Sequence, residues 1–576
     1  MHDAVIALKP LYLQQVIELI EEKLLVLNRF LSYFVLLISS LLLFGCAQQV
    51  TPTGGPKDKT PPKIIGSEPE NFSTNFAGNS IKLEFDEFIQ QNNISSEMLI
   101  SPIFDKQPEV KFKSRSVELI FKDTLQPNTT YTINFGKGIV DLNEKNPLDS
   151  NLFVFSTGDY LDSLSIEGTV QNAFDLKPAE DILVMLYDEI TDSIPYKKKP
   201  TYFGRTGKNG SFHIGYIKNG QYKAFALKDA NSNYLFDLPD EPIAFVEEII
   251  EPEKTDTVDF YLFEEDVEQQ YLVKSYAEHY GKLMFLYNRP TKDARAVPIN
   301  HSFKKAWYIE ELFKNKDTLC YWLTGTEGID TLILQLWDNS EILDTVEIAI
   351  PAKGEKPKIK SRSGKTEFKL TTRTNLAKGT SLDIFRNLRI KFSHPIKSVD
   401  ASKIIFTEAN DTVSFETELD NPVRRTFSFI YEWKEKTAYT VFIPPGAFTD
   451  IFDLKNDSIY LNFTTLSIED YGKLELTVLI PARQAGMADT AHYIVQLMTT
   501  KEVVIRENSI KGNAVIDYKN LQPQHYKIKL IYDANGNGKW DTGDYSEKKQ
   551  PEKVIYNSGK LQIRANWDLD LKWKVE

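Results

Sequence analysis

Cysteine is almost absent from this chain: only Cys46 and Cys320 occur in 576 residues. No disulfide framework can be built from two, so the fold must be held by apolar cores. Histidine is scarce as well. The seven (His2, His213, His279, His301, His394, His492 and His525) fall in no H-x-H or H-E-x-x-H spacing, which leaves a zinc hydrolase without ligands. "SGKTEF" holds a GKT without the leading glycine of a phosphate-binding loop, and no G-x-S-x-G elbow exists. Positive charge is in deficit, 68 Lys and Arg against 81 Asp and Glu. The net −13 removes the basic footprint that a nucleic-acid binder needs. Long apolar runs are missing too, with one exception near the N-terminus.

That exception is "RFLSYFVLLISSLLLFGC". A basic residue precedes an apolar run from Phe30 to Phe44, short for a membrane span and suited to the helical core of a signal peptide. A plain transmembrane anchor is the alternative. "LFGC" resembles a bacterial lipobox, which implies that Cys46 is acylated and becomes the first mature residue. Residues 1–45 are then a signal peptide whose first 25 residues are an odd extension, and 46–60, rich in Pro, Gly and Thr, are a tether. Cys320 is left without an intrachain partner and reads as a buried free thiol.

What the chain does have is aromatic and β-branched residues. Its 27 Tyr and 35 Phe, with period-2 stretches such as "SIKLEF" and "TLILQLW", predict strands, and its length predicts several domains. It also contains itself twice. "YKAFALKDANSNYLFDLPDE" aligns without a gap to "YKIKLIYDANGNGKWDTGDY", placing Tyr222 against Tyr526 and Asp229 against Asp533, each 304 positions apart. Tyr131 and Tyr439 are 308 apart, Phe85 and Phe392 are 307, and Phe155 and Phe463 are 308. The expected organisation is a two-module unit used twice. Residues 61–160 and 367–468 form one pair, 161–263 and 469–576 the other. Residues 264–352 are an unassigned sandwich, and 353–366 a basic, Pro-containing linker.

The first module carries "PPKIIGSEP", "IKLEFDEFI", "TYTINFGKGIVDLNEKN" and "FVFSTGD". In that order these resemble the S-layer-type, SbsA-like bacterial Ig-like domain, with Asp141 at the aspartate of its "G-I-x-D" segment. The second copy has Asp450 and Asp453 there, and "FSHPI" where the first has "FDEFI". "SIEGTVQNAF", "DILVMLYD" and "RTGKNGSFHIGYIKNGQYKAFALKD" resemble the carboxypeptidase regulatory-like, transthyretin-like sandwich, and the later copy lacks the "TGKNG" turn. The expected fold class is therefore all-β, tandem Ig-like and transthyretin-like sandwiches behind the N-terminal segment. The head "C…P-T-G-G-P-K-D-x-x-P-P" with these modules resembles a lipoprotein family of Bacteroidota-type bacteria, which implies a lipid anchor in the outer membrane. Acidic residues just after the cysteine, which that group links to surface export, are absent before Asp58, so the periplasmic or extracellular face stays open.

For chemistry, the strongest local signal is "DANGNGKWDTGD". Asp533, Asn535, Asn537, Asp541 and Asp544, with the Lys539 carbonyl, take positions 1, 3, 5, 9, 12 and 7 of an EF-hand loop, and Gly538 the turn position. Hard oxygens on alternate residues of a tight loop suit Ca²⁺. Asp229, Asn231, Asn233, Asp237 and Asp240 repeat the spacing in the weaker first copy. There Tyr234 replaces the glycine at a position where positive φ is costly for an aromatic residue. Without metal, the same residues form Asx turns. Asp86 and Glu87 are expected next to each other on a strand, facing opposite ways, so they cannot act as an acid–base pair.

These readings favour no catalysis. They point to a lipid-anchored scaffold or interaction protein of the outer membrane, with a protein partner such as an outer-membrane β-barrel complex and no cofactor other than structural calcium. A glycan-binding or adhesion lipoprotein is the alternative, hinted at by Trp540, and a hydrolase accessory or enzyme is a third reading.

Overall fold

The computed structural model describes residues 57–149, 152–266, 269–325, 328–353, 368–377, 380–481 and 492–575. The signal segment, Cys46, most of the tether and most of the linker lie outside them. Alternation decides the sheets. Strand Ser80–Phe85 turns Ile81, Leu83 and Phe85 into the core, while Lys82 and Glu84 pair at 2.6 Å on the outer face. Repeated along the chain, this pattern makes the fold all-β, and the described residues form five two-sheet sandwiches, each around its own apolar cluster.

The first sandwich orders one sheet Ile64–Glu68, Ser80–Phe85, Ser116–Ile120, Glu109–Lys113, and faces it with Leu99–Ser101, Thr130–Asn134, Leu152–Ser156. The fourth runs Thr372–Thr374, Leu388–Phe392, Thr426–Ile430, Glu416–Leu419, faced by Ile405–Glu408, Ala438–Ile443 and Ile459–Thr465 with a short strand at either edge. The order is the same. Each sandwich also fixes its corner with a buried tyrosine: the Tyr131 hydroxyl accepts the Gln126 N–H at 2.8 Å, and Tyr439 accepts that of Lys434 at 3.0 Å.

The second sandwich orders its sheets Ser211–Ile217, Leu164–Asn172, Thr257–Leu262 and Tyr202–Arg205, Leu183–Tyr187, Lys223–Leu227, Ile243–Phe245. The fifth has Ala514–Leu521, Gly472–Leu479, Asp568–Lys574 and Val504–Ile510, His492–Thr499, His525–Asp533, Val554–Tyr556, again the same order. Both contain one parallel pair, joining the first strand of the module to its last. Gly168 is needed there: a Cβ would sit 1.8 Å from the Val258 carbonyl oxygen. The third sandwich pairs Leu272–His279, Lys282–Tyr287, Thr318–Leu323 and Tyr308–Leu312 against Ala294–Pro298, Thr331–Asp338 and Glu341–Ala349.

One expectation needs correcting. The strand ends at Phe85, so Asp86 and Glu87 lie in a bend rather than on a strand. Asp86 accepts the Lys63 N–H at 2.8 Å, while burial and the nearby Asp141 raise the Glu87 carboxyl. The fourth sandwich has a histidine where the first has Glu87. His394, aligned with Glu87, places Nδ1 2.7 Å from the buried Asp450 carboxylate.

The third and fourth sandwiches meet through a second apolar cluster of Met284, Cys320, Trp322 and Phe452. Gly281 is pressed so close to the Phe452 ring that a Cβ would lie 2.1 Å from it. Cys320 is a free, fully buried thiol, pushed up to about 12 by desolvation. Glu311 of the third sandwich grips Arg425 of the fourth with both oxygens, at 2.8 and 2.6 Å, and also accepts the Trp322 indole N–H.

Candidate functional site

Both Asx loops begin where a central strand runs out: Lys223–Leu227 leads to Asp229, and His525–Asp533 carries Asp533 as its last residue. The strand ladder fixes the first carboxylate, and the loop closes on it. Asp533 accepts the N–H groups of Asn537 at 3.0 Å and Gly538 at 2.9 Å; Asp229 accepts those of Asn233 at 3.2 Å and Tyr234 at 2.8 Å. Asn535 and Asn231 each accept the N–H two residues on, and Asn537 and Asn233 do the same. On the far side Asn535, Asn537 and the Lys539 ammonium converge on Asp541, as Asn231 and Asn233 converge on Asp237. Burial raises the Asp541 carboxyl, but these donors outweigh it and hold it below the usual range.

The loops differ from expectation at three points. Tyr234 does not spoil the turn: it takes φ +67, beside +77 for Gly538, and its ring packs edge-on against Phe203 at 5.3 Å. Asp544 is not gathered with the others. Its carboxylate accepts the Ser546 hydroxyl and the Glu547 N–H, and these donors hold it below the usual range. Asp240 is exposed, outside the ring of contacts in its own loop. In their place each loop uses a glutamate that the spacing did not reveal. Glu552 accepts the N–H groups of Ala534 at 2.7 Å and Asp541 at 3.0 Å, and the almost fully buried Glu241 accepts those of Ala230, Asp237 and Leu238. Both glutamates stand two residues before the next strand, Ile243–Phe245 or Val554–Tyr556. That distance is the signal that could have found them.

As placed, the side chains are consumed by the loop's own N–H groups, and both amides aim nitrogen rather than oxygen at Asp541. Among the described residues no group of three or more His, Cys, Asp or Glu is arranged to hold a metal ion. The donor set is nevertheless hard oxygen, the type that Ca²⁺ takes.

What the second loop visibly does is clasp. Its continuation enters the aromatic face of the second sandwich, where Tyr545 is buried among Phe225, Phe245 and Tyr196 at centroid distances of 5.3, 5.0 and 5.9 Å. The Tyr545 hydroxyl donates to the Asp192 carbonyl at 2.6 Å, its N–H donates to Glu265, and Thr542 donates to the Glu264 carbonyl. Gly543 lies so close to Phe263 that a Cβ would stand 2.7 Å from its ring. Trp540 is no open platform, since its ring packs on Phe174 at 5.1 Å and its N–H donates to the Glu552 carbonyl. Beside it Lys529 is buried over the Phe174 ring, and burial pushes its amine down to about 8.

Residues 58–157 match the family model described as bacterial Ig-like domain, which covers the first sandwich. No curated protein matches the chain. Among solved structures, the chain is similar to the major pilin subunit of Bacillus cereus at 10% identity, covering 72% of this chain and 99% of that one with a TM-score of 0.13. It is similar to the S-layer protein SbsC at 11% identity, with 87% and 67% covered and a TM-score of 0.14. It is also similar to the Escherichia coli alpha-2-macroglobulin fragment at 12% identity, with 33% and 71% covered and a TM-score of 0.15. Superposition this limited carries no argument about function.

Proposed function

We propose that this chain is a non-catalytic scaffold or interaction protein, held at the bacterial outer membrane by a lipid on Cys46 and serving as an accessory subunit of an outer-membrane β-barrel complex. The observation that supports it most is the clasp. Tyr545 buried in the second sandwich joins residues some 300 positions apart, so the second and fifth sandwiches are braced against one another. A braced set of sandwiches holds several surfaces at fixed spacing, which is what a subunit bridging partners requires. The apolar run ending in "LFGC" supports the anchor. The glycan-binding alternative loses its one hint, because Trp540 is engaged inside the molecule.

The test is purification of the tagged chain from detergent-solubilised membranes, with and without Cys46→Ser. A stoichiometric membrane-protein partner and acyl labelling of the parent are expected, with labelling lost in the variant. A chain that purifies alone, or a variant that still labels, would remove the corresponding half of the proposal.

A further inference from the structure

On a molecule of net charge −13, one cleft is strongly cationic. It lies between the third and fourth sandwiches, measures about 690 Å³, and is lined by Lys282, Lys314, Arg373, Lys391 and Arg425 against the single carboxylate of Glu311. That volume is within the range of small-ligand sites, roughly 300–1,000 Å³. The floor is rigid. Arg425 and Lys282 stand 4.9 and 4.8 Å from the centroid of the buried Trp322 ring, Arg425 held by Glu311 and Lys282 by Glu278. The rim is different, because Lys314, Arg373 and Lys391 form no ion pair among the described residues.

The register makes this rim costly to the free protein. Strands Thr372–Thr374 and Leu388–Phe392 are antiparallel, and Arg373 is the direct cross-strand partner of Lys391. Like charges directly opposite on a ladder destabilise it, and nothing in the packing demands two cations there, since both residues are exposed. Thr371, whose hydroxyl can donate, lines the same cleft, as does Ser393, whose hydroxyl accepts the Thr371 N–H and donates to the Lys369 carbonyl. A cationic concavity focuses field and concentrates anions.

We propose that this cleft binds a phosphate-bearing ligand of two or more negative charges, with Lys314, Arg373 and Lys391 neutralising it and with Lys282 and Arg425, packed over the buried Trp322, forming the wall behind them. Two compact ammonium groups and one guanidinium fork match the several oxygens of a phosphate better than the plane of one carboxylate. The exposed Leu312 and Phe313 at the rim leave room for an apolar tail, so the phosphate is either soluble or carried by a lipid. The site does not depend on the lipid anchor at Cys46.

The experiment is calorimetric titration of the full chain at physiological salt with inorganic pyrophosphate, and separately with water-soluble dihexanoyl phosphatidic acid, using dihexanoyl phosphatidylcholine as control. Saturable binding of at least one anion is expected, weakened about a hundredfold in Arg373→Gln/Lys391→Gln and about tenfold in Lys314→Gln, at about a tenfold loss per charged contact. The tighter of the two anions identifies the source of the phosphate. Without ligand, the double variant should melt no lower than its parent in low salt, because a repulsion has been removed. Absence of saturable binding of both anions, binding that survives the double substitution, or a double variant that melts lower would each overturn the assignment.

Discussion

His279 shows what a single side chain can make of a module junction. Its ring lies among Phe368, Trp322, Phe452 and His394, and its Nδ1 accepts the Gly281 N–H at 3.1 Å, a bond that only the neutral ring can form. Desolvation first, then the neighbouring His394, push it down to about 4. A folded pKa below the unfolded one, about 6.5, gives stability that is complete above pH 6.5 and is lost as pH falls toward 4. Lowering the pH from 7 to 5 is therefore expected to cost the junction of the third and fourth sandwiches about 2 kcal/mol from this group. Urea unfolding of the parent and of His279→Gln at both pH values checks it. The pH-dependent difference should shrink in the variant, and equal slopes in both proteins would refute the assignment.

At the scale of elements, the strands were legible and the loop was only half so. Alternation in "SIKLEF" and "TLILQLW" fixes both strand and inward face, because a period of two leaves no other way to bury every second residue. Asp533, Asn535, Asn537 and Asp541 were legible because Asx turns act over two to five residues. Glu552 was not, being eleven residues beyond Asp541 and tied to it only through the fold. Asp544 lies apart from the other four for the converse reason: the count to twelve belongs to a loop followed by a helix, and here the chain turns away to the second sandwich. Tyr234 shows that packing against Phe203 can offset a backbone cost that the sequence alone would count in full.

Calcium capture by the second loop remains a prediction at this scale. With Ca²⁺ at about 100 times its dissociation constant, the full chain should gain roughly 2.7 kcal/mol, seen as a calcium-dependent rise in melting temperature. Asp533→Ala and Asp541→Ala should each abolish the rise. Identical melting in calcium and in chelator would leave these residues as turn formers only.

For the whole molecule, the decisive contact is Tyr545 in the second sandwich. Tyr545→Ala removes a buried aromatic side chain and its hydrogen bond to the Asp192 carbonyl, which should cost the docking of the fifth sandwich about 3–5 kcal/mol. Each sandwich keeps its own core, so circular dichroism should be unchanged while small-angle scattering reports a larger radius of gyration. An unchanged radius would mean that the remaining contacts, Thr542 and Gln550 among them, suffice to hold the halves together. The clasp also has a meaning in time. The aromatic face of the second sandwich is made early in synthesis, and the tyrosine that covers it follows some 300 residues later, an interval of about 15–60 s at ordinary translation rates. Until the fifth sandwich docks, Phe225 and Phe245 lack the cover of Tyr545, and a chain still in transit must be shielded there or risk pairing with the late half of a neighbour.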